Sequence, residues 1–354
     1  MSLWVVVGGQ YGGEGKGKIS AFITQQEEVD ICIRCGGPNS GHSFVTENGD
    51  TVLLRQLPTG YIRPQTRLLI PAGALIDLEV LKYELDSLGL DGRRVGVDRN
   101  AMIIEECDKN RESQLQLRER LSSTLCGVGS AVARRAMRGA KVKLAARFAS
   151  EISWLSELIT DVSDEANRAI DCGKKVLVEG TQGFGLSLYH SESYPKATSR
   201  DTTASAFLSE VGLSPTLVTE IVAVFRTFPI RVAGEQAGPL RDEITWDILQ
   251  TESGFPHPVQ EMTTVSRKIR RIGRFDWELA KRAATVNRPS RIAVNGLDYI
   301  DYRNRGILSI EYLTASGRNF LSRIERELDT PVGFWGTGPR IGHCSSERDM
   351  LQIA

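Results

Sequence analysis

The sequence shows no excess of charge of either sign: 44 Lys and Arg face 44 Asp and Glu in 354 residues. No global field draws it to nucleic acid or to a membrane surface, so any polyanion it binds must meet local basic clusters. Nowhere is there an apolar run of about 18 residues, which excludes a conventional membrane-spanning helix. The start lacks a basic leader and a cleavage site. Apolar from Leu3 to Val7 and then rich in glycine, it reads as a strand, and a cytoplasmic location is expected. Cysteine and histidine are sparse, at six and four residues. Cys32 and Cys35 form a C-x-x-C, but alternation puts them in or just after a strand, and no second Cys or His pair completes a zinc site. Buried free thiols are the expectation. With no low-complexity linker or repeat, residues 1–354 are expected to form one large domain.

Glycine, at 34 residues, is what the chain does have, and it gathers where apolar runs end. "LWVVVGG", a Gly-rich loop, "KISAFITQQEE" and "VDICIRC" give strand, loop, helix and strand, the opening of a parallel α/β sheet. Two runs around Asn48-Gly49 predict a hairpin. "RLLIPAGALI" reads as a buried strand, and "LEVLKYELDSLGL" as a helix closed by Gly89. "KKVLVEGTQGFG" repeats the strand-to-loop pattern. "FDWELAKRAATVN" and "NFLSRIEREL" are helical, "RIAVNGLDYI" is a strand, and "VGFWGTGPR" is a strand entering a loop. The class is α/β, a mainly parallel central sheet whose ligands are expected where the strands end.

Five stretches carry chemistry. Gly12 to Lys18 has the spacing G-x-x-x-x-G-K of a phosphate loop, in which small residues bring backbone N–H groups to phosphate and a helix start adds positive potential. Ile19, however, stands where such a loop carries the hydroxyl that holds Mg²⁺. In "CGGPNSGHS", His42 follows a Gly-rich turn with Asn39, a place suited to acid or base work. Gln182 in "VEGTQGFG" offers an amide between glycines. "SSTLCGVGS" precedes Arg134, Arg135 and Arg138, either a solvated helix face or a phosphate clamp. "TTVSRKIRRIG" crowds Arg267, Lys268, Arg270 and Arg271, cations that repel one another unless an anion shares them. A loop closing on a carboxylate or triphosphate fits better than a nucleic-acid patch, because aromatics are not interleaved.

The order of these stretches resembles the adenylosuccinate synthetase family over essentially the whole chain. The family's opening, G-x-Q-W-G-D-E-G-K-G-K, is matched by Gly8-Gly9-Gln10-Tyr11-Gly12-Gly13-Glu14-Gly15-Lys16-Gly17-Lys18. Its N-A-G-H-T is Asn39-Ser40-Gly41-His42-Ser43, and its E-G-x-Q-G is Glu179-Gly180-Thr181-Gln182-Gly183. Its Y-P-x-x-T-S is Tyr194 to Ser199, and R-R-x-G-x-F-D is Arg270 to Asp276. The resemblance implies a two-step ligase. A nucleoside triphosphate phosphorylates O6 of a purine monophosphate, and the amine of L-aspartate then displaces that phosphate at C6. It assigns catalysis to His42, which donates to the moving phosphoryl, and to Lys16. The phosphate donor falls to Gly12, Glu14, Gly15, Lys16, Gly17, Lys18, Gly41, His42 and Ser43, with its base near Asn295, Asp298, Gly336, Gly338 and Pro339. The monophosphate falls to Asn39, Ser123, Thr124, Gln182 and Thr198, with Arg138 reaching across a homodimer (Arg135 if the register slips). L-Aspartate falls to Thr264, Val265, Ser266, Arg267, Lys268, Arg270 and Arg271. Mg²⁺ is implied as cofactor, on the backbone carbonyls of Gly13 and Gly41.

Two departures redirect this reading. The family's catalytic aspartate, which takes the purine N1 proton and binds Mg²⁺, is Gly13 here. A phage-type branch that also lacks the aspartate, and is similarly compact, joins aspartate to dGMP for 2,6-diaminopurine DNA. That branch is the expectation, in a host cytoplasm if the gene is phage-borne. The rivals are an ordinary IMP- and GTP-using synthetase and a non-catalytic nucleotide-binding homologue. In the family's T-K-x-D motif Gly296 replaces the lysine while Asp298 stays, which favours ATP or dATP as donor.

Overall fold

The computed structural model of the chain describes residues 2–139, 142–263 and 268–347. At its centre lies a ten-stranded sheet. From edge to edge its strands are Cys344–Ser346, Val332–Gly336, Arg291–Asn295, Glu220–Arg226, Ser2–Gly8, Lys175–Glu179, Ile31–Arg34, Arg67–Ile70, Val95–Asp98 and Ile159–Thr160. Every neighbouring pair is parallel except the first, which is antiparallel. A parallel sheet needs both faces covered, and the first strand shows how. Leu3, Val5 and Val7 pack on one face with Phe207, Ile170 and Ile324 from three helices, Ala204–Val211, Val162–Asp171 and Ala315–Leu328. Trp4 and Val6 pack on the other with Ile19, Phe22 and Ile23 of the helix Lys16–Gln26. Alternation at period two thus feeds two apolar layers. Truncating a fully buried member such as Phe207 to Ala is expected to cost about 3–5 kcal/mol.

The βαβ opening, the hairpin (His42–Val45 with Thr51–Leu54) and the helix Leu78–Leu88 ending at a left-handed Gly89 all form as the sequence predicts. Two predicted strands stop early. "RLLIPAGALI" ends at Ile70, because Pro71 has no N–H to continue the ladder, and Leu75–Ile76 pairs instead with Met102–Ile103. "RIAVNGLDYI" ends at Asn295, where Gly296 at φ 82 turns the chain into a short helix, Leu297–Ile300. All six cysteines are free, but only Cys32, Cys35 and Cys344 are buried; Cys107 and Cys172 are exposed. Cys32 and Cys35 belong to opposite faces of the sheet, which is why they make no pair. Among the described residues no helix is long and apolar enough to cross a membrane.

Parallel order puts the C-terminal ends of the central strands on one edge. There the loops after Gly8, Arg34, Glu179, Arg226 and Asn295 converge.

Candidate active site

The first loop is organised by a carboxylate. Glu14 is buried, and its Oε1 accepts from the backbone N–H groups of Gln10 (3.1 Å) and Gly12 (2.8 Å). Its Oε2 takes Lys16 Nζ at 2.6 Å. The loop is thereby fixed before any ligand arrives. Gly15, at φ 87, caps the helix Lys16–Gln26 without a side-chain hydrogen bond, leaving the helix start open to an anion. Lys18 turns the other way, its Nζ donating to the Gly338 carbonyl at 2.7 Å. Asn295 Nδ2 donates to the Glu14 carbonyl at 2.8 Å, tying the far loop to the first.

His42 stands over this helix start, so close that a Cβ on Gly17 would lie 2.7 Å from its own Cβ. Its Nδ1 is hydrogen-bonded to Glu179 Oε1. Glu179 is fully buried and also accepts from Arg34 Nη1 (2.8 Å), Thr59 N (2.8 Å) and Thr59 Oγ1 (2.7 Å). Burial opposes its charge, but His42, Arg34 and Thr59 together bring the carboxyl down to about 2. The imidazole goes down as well, to about 4, through burial and the nearby Arg34 cation, with Glu179 pulling against them. At neutral pH His42 is therefore uncharged, its Nδ1–H donates to the carboxylate, and its Nε2 is buried without a hydrogen-bond partner among the described residues. That nitrogen gains a donating proton only when an arriving anion raises the pKa again.

Gly13 sits opposite, at φ 71. Its carbonyl accepts from Arg226 Nη1 at 3.1 Å, and the same nitrogen lies 3.1 Å from Glu261 Oε2. Arg226 Nη2 and the Tyr299 hydroxyl both donate to Glu261 Oε1, at 2.6 and 2.8 Å. Burial disfavours both charges, yet each holds the other ionised: Arg226 lies above its usual pKa and Glu261 well below the usual carboxylate range.

Gly12, Gly13, Lys16, His42, Gln182 and Arg270 line a single cleft of about 520 Å³. Gly15, Gly17, Asn39, Gly41, Ser43, Ser123, Thr124 and Lys268, all expected at the site, line it too. Gln182 holds φ 60, a region non-glycine residues seldom adopt, between its two glycines. Asn295, Asp298, Gly336 and Gly338 are buried and form a neighbouring group around Lys18, with Pro339 exposed at its edge. There burial raises the Asp298 carboxyl, with Lys18 and Arg305 acting against it.

Other expected residues lie off the cleft. Thr198 is half-buried, its N–H bonded to the Leu186 carbonyl. Arg138 is exposed just past the helix Val128–Ala136. Arg271 opens a strand, so its side chain leaves the backbone opposite to that of Arg270. Its guanidinium is held by Glu243 and by the Gly234 and Gly238 carbonyls, at 3.3 and 2.8 Å. Thr264, Val265, Ser266 and Arg267 lie outside the described residues. Glu179, Arg226 and Glu261 belong to the site without being among the residues expected there. Glu179 had a signal, its place beside Gln182 in the quoted motif; Arg226 and Glu261 are distant in sequence and had none. Arg231 is a further unexpected member: its guanidinium lies 4.4 Å from the Tyr11 ring centre and props that ring at the cleft.

A parallel α/β sheet with an open helix start, a buried His–Glu pair and a cationic wall defines a phosphate-handling enzyme of the nucleotide-binding kind. More narrowly, the chain belongs to the adenylosuccinate synthetase family of C–N ligases, whose profile matches residues 5–153 and 141–312. It is 41% identical over 355 residues to the adenylosuccinate synthetase of Thermococcus onnurineus, covering 99% of this chain and 100% of that protein. Against that of Pyrococcus horikoshii the identity is 40%, with 98% and 99% covered. Compact length is therefore shared with adenylosuccinate synthetases of archaea and does not mark the phage branch. Among solved structures, the cyanophage S-2L succinoaminodeoxyadenylate synthetase (PurZ), bound to dGMP and dATP as an energy donor, superposes with a TM-score of 0.82 at 26% identity, covering 99% of this chain and 97% of that one. Fully ligated adenylosuccinate synthetase from Plasmodium falciparum shares the fold, with a TM-score of 0.84 at 21% identity over 98% and 100% of the two chains.

Proposed function

We propose that the protein joins L-aspartate to C6 of dGMP through a 6-phosphoryl intermediate, using ATP or dATP, to give 2-amino-2′-deoxy-N6-succinyladenylate, ADP or dADP, and phosphate. The observation that carries this reading is Gly13, a left-handed glycine where an ordinary synthetase places its carboxylate. The cyanophage enzyme with dGMP and dATP in its site supports it. The second reading, an ordinary IMP- and GTP-using synthetase, draws on the higher identity to archaeal adenylosuccinate synthetases.

In the proposed first step the loop N–H groups and Lys16 hold the donor's phosphates while the purine O6 attacks the terminal phosphorus. His42 Nε2 faces the transferring group. As the anion arrives, the imidazole takes up a proton and donates it as a hydrogen bond, with Glu179 balancing the charge. In the second step the aspartate amine adds at C6 and phosphate leaves, the substrate's carboxylates held by Arg270 and Lys268. Asn39, Ser123 and Thr124 hold the monophosphate, and Arg138 completes that site from a second subunit. For the donor base, Gly296 removes a lysine stem, and Asp298, 3.8 Å from Arg305, is less available to the two N–H donors of guanine.

Adenylosuccinate synthetases use Mg²⁺. Among the described residues no cluster of three His, Cys, Asp or Glu side chains could hold a metal ion, and the Gly13 carbonyl already accepts from a guanidinium. The donors left, the Gly41 carbonyl above all, fit an ion that enters on substrate phosphates. When bound it would neutralise charge on the transferring phosphoryl.

The test offers dGMP or IMP with L-aspartate, Mg²⁺ and ATP, dATP or GTP, and identifies the product by mass. Higher kcat/KM for dGMP with an adenine donor is expected; higher kcat/KM for IMP with GTP overturns the reading.

A further inference from the structure

A 6-oxopurine carries a proton on N1. When O6 bonds to phosphorus and the bond to the donor's leaving oxygen breaks, the N1–H electron pair closes the N1=C6 double bond, and that proton must go to a base. Residue 13 supplies none. We infer that Glu261 supplies the carboxylate that Gly13 lacks, accepting the purine N1 proton during phosphoryl transfer. The inference rests on the ligase reading and holds for either purine.

The geometry behind it is local. Glu261 lines the same cleft as Gly13, Gln182 and His42, and its side chain is 32% exposed. One nitrogen, Arg226 Nη1, lies 3.1 Å from both the Gly13 carbonyl and Glu261 Oε2, so the carboxylate sits one guanidinium away from residue 13. Among the described residues Oε1 is committed to Arg226 Nη2 and Tyr299, while Oε2 has only the bond to Nη1. Oε2 thus keeps a free lone pair for a purine N–H, and Tyr299 and Arg226 fix its direction. The same bonds make the carboxylate a weak base, which suffices because the growing O6–P bond acidifies N1–H as the transfer proceeds. His42 is no rival for the proton, because its Nδ1–H is committed to Glu179 and its Nε2 is reserved for the phosphoryl. In guanine the adjacent N2 amino group offers the carboxylate a second donor, which IMP lacks.

The test follows the first step alone, without L-aspartate, as ¹⁸O exchange between bridging and non-bridging positions of the triphosphate. Glu261→Gln keeps the size and, through its one oxygen, the bonds from Arg226 Nη2 and Tyr299, but its amide nitrogen accepts neither a proton nor the Arg226 Nη1 bond. Exchange is expected to fall at least 100-fold, with triphosphate Kd within threefold and the thermal midpoint near that of the parent. Exchange within threefold of the parent overturns the inference. Should that variant fail to fold, Glu261→Asp carries the test, with a tenfold fall expected and an unchanged rate overturning it. In Glu261→Ala, added formate, acetate and fluoroacetate should restore exchange in proportion to their basicity. Rescue indifferent to basicity means Glu261 only balances Arg226, and the inference fails. Run with dGMP and with IMP, the parent's preference separately reports whether the purine assignment stands.

Discussion

Replacing His42 by asparagine should make the protein less sensitive to acid. In the folded chain burial and Arg34 lower the imidazole from 6.5 to about 4. Below pH 6.5 the unfolded chain binds a proton that the folded chain refuses until about pH 4, so stability falls with pH across that interval and is fully present above it. At about 1.4 kcal/mol per unit, the loss reaches roughly 3 kcal/mol. Glu179 adds its own loss lower down, as pH falls from 4.5 toward about 2. Asparagine keeps an N–H near the Nδ1 position for Glu179 and removes the titration. Urea unfolding at pH 7 and at pH 4.5 is the assay: the parent should lose about 2–3 kcal/mol more between the two than His42→Asn does. A saturating triphosphate, by raising the imidazole's pKa, should shrink the parent's loss. Equal losses in parent and variant would refute the claim that a neutral, buried His42 waits for an anion.

The cationic wall makes separable predictions. Arg270→Ala should raise the aspartate KM about 10- to 100-fold, for a lost charge-assisted bond of about 1.5–3 kcal/mol, whereas Arg271→Ala should leave it within twofold, because Glu243 and two carbonyls hold that side chain elsewhere. Steady-state kinetics decide; the opposite ranking would show that the loop rearranges on binding. Arg138→Ala should leave stability within about 0.5 kcal/mol, as for an exposed residue, yet raise the dGMP KM strongly. Mixing it with His42→Asn should restore activity through hybrid dimers, and a fully active monomer would defeat the cross-subunit site.

Sequence periodicity disclosed the parallel sheet because its strands, buried on both faces, are continuous apolar runs that end in glycine. It misplaced strand ends where one residue decides: Pro71 withholds an N–H, and Gly296 adopts φ 82. At the site the loops were legible as spacing. Gly12 to Lys18, His42 and Gln182 declared themselves, since glycine beside a polar residue at a strand's end serves little else. What spacing cannot convey is direction. Arg270 and Arg271 look equivalent in sequence, and only extended backbone sends one to the cleft and the other to Glu243. Nor can it convey pairing across long separations. Arg226 with Glu261, and His42 with Glu179, are 35 and 137 residues apart, and each sets the charge state of the other.

Gly13→Asp brings these threads to one residue. A Cβ built on Gly13 would lie 2.8 Å from Ile230 Cδ1 and 3.5 Å from Arg270 Nη1. The first contact is with the end of a flexible side chain, which can yield. Aspartate tolerates φ 71 better than most residues, though the left-handed region still costs of order 1 kcal/mol. The larger effect is electrostatic, because the new carboxylate arrives beside Arg270 and competes for the guanidinium proposed to hold L-aspartate. Gly13→Asp should therefore slow dGMP turnover and raise the aspartate KM together. Gly13→Ala, which carries the same Cβ and at least as much backbone strain without the charge, should affect turnover but spare the aspartate KM. If both variants raise that KM equally, the penalty is steric and Arg270 is not being diverted. If neither impairs dGMP, the missing side chain at residue 13 is not what selects the purine, and the purine assignment loses the observation that carries it.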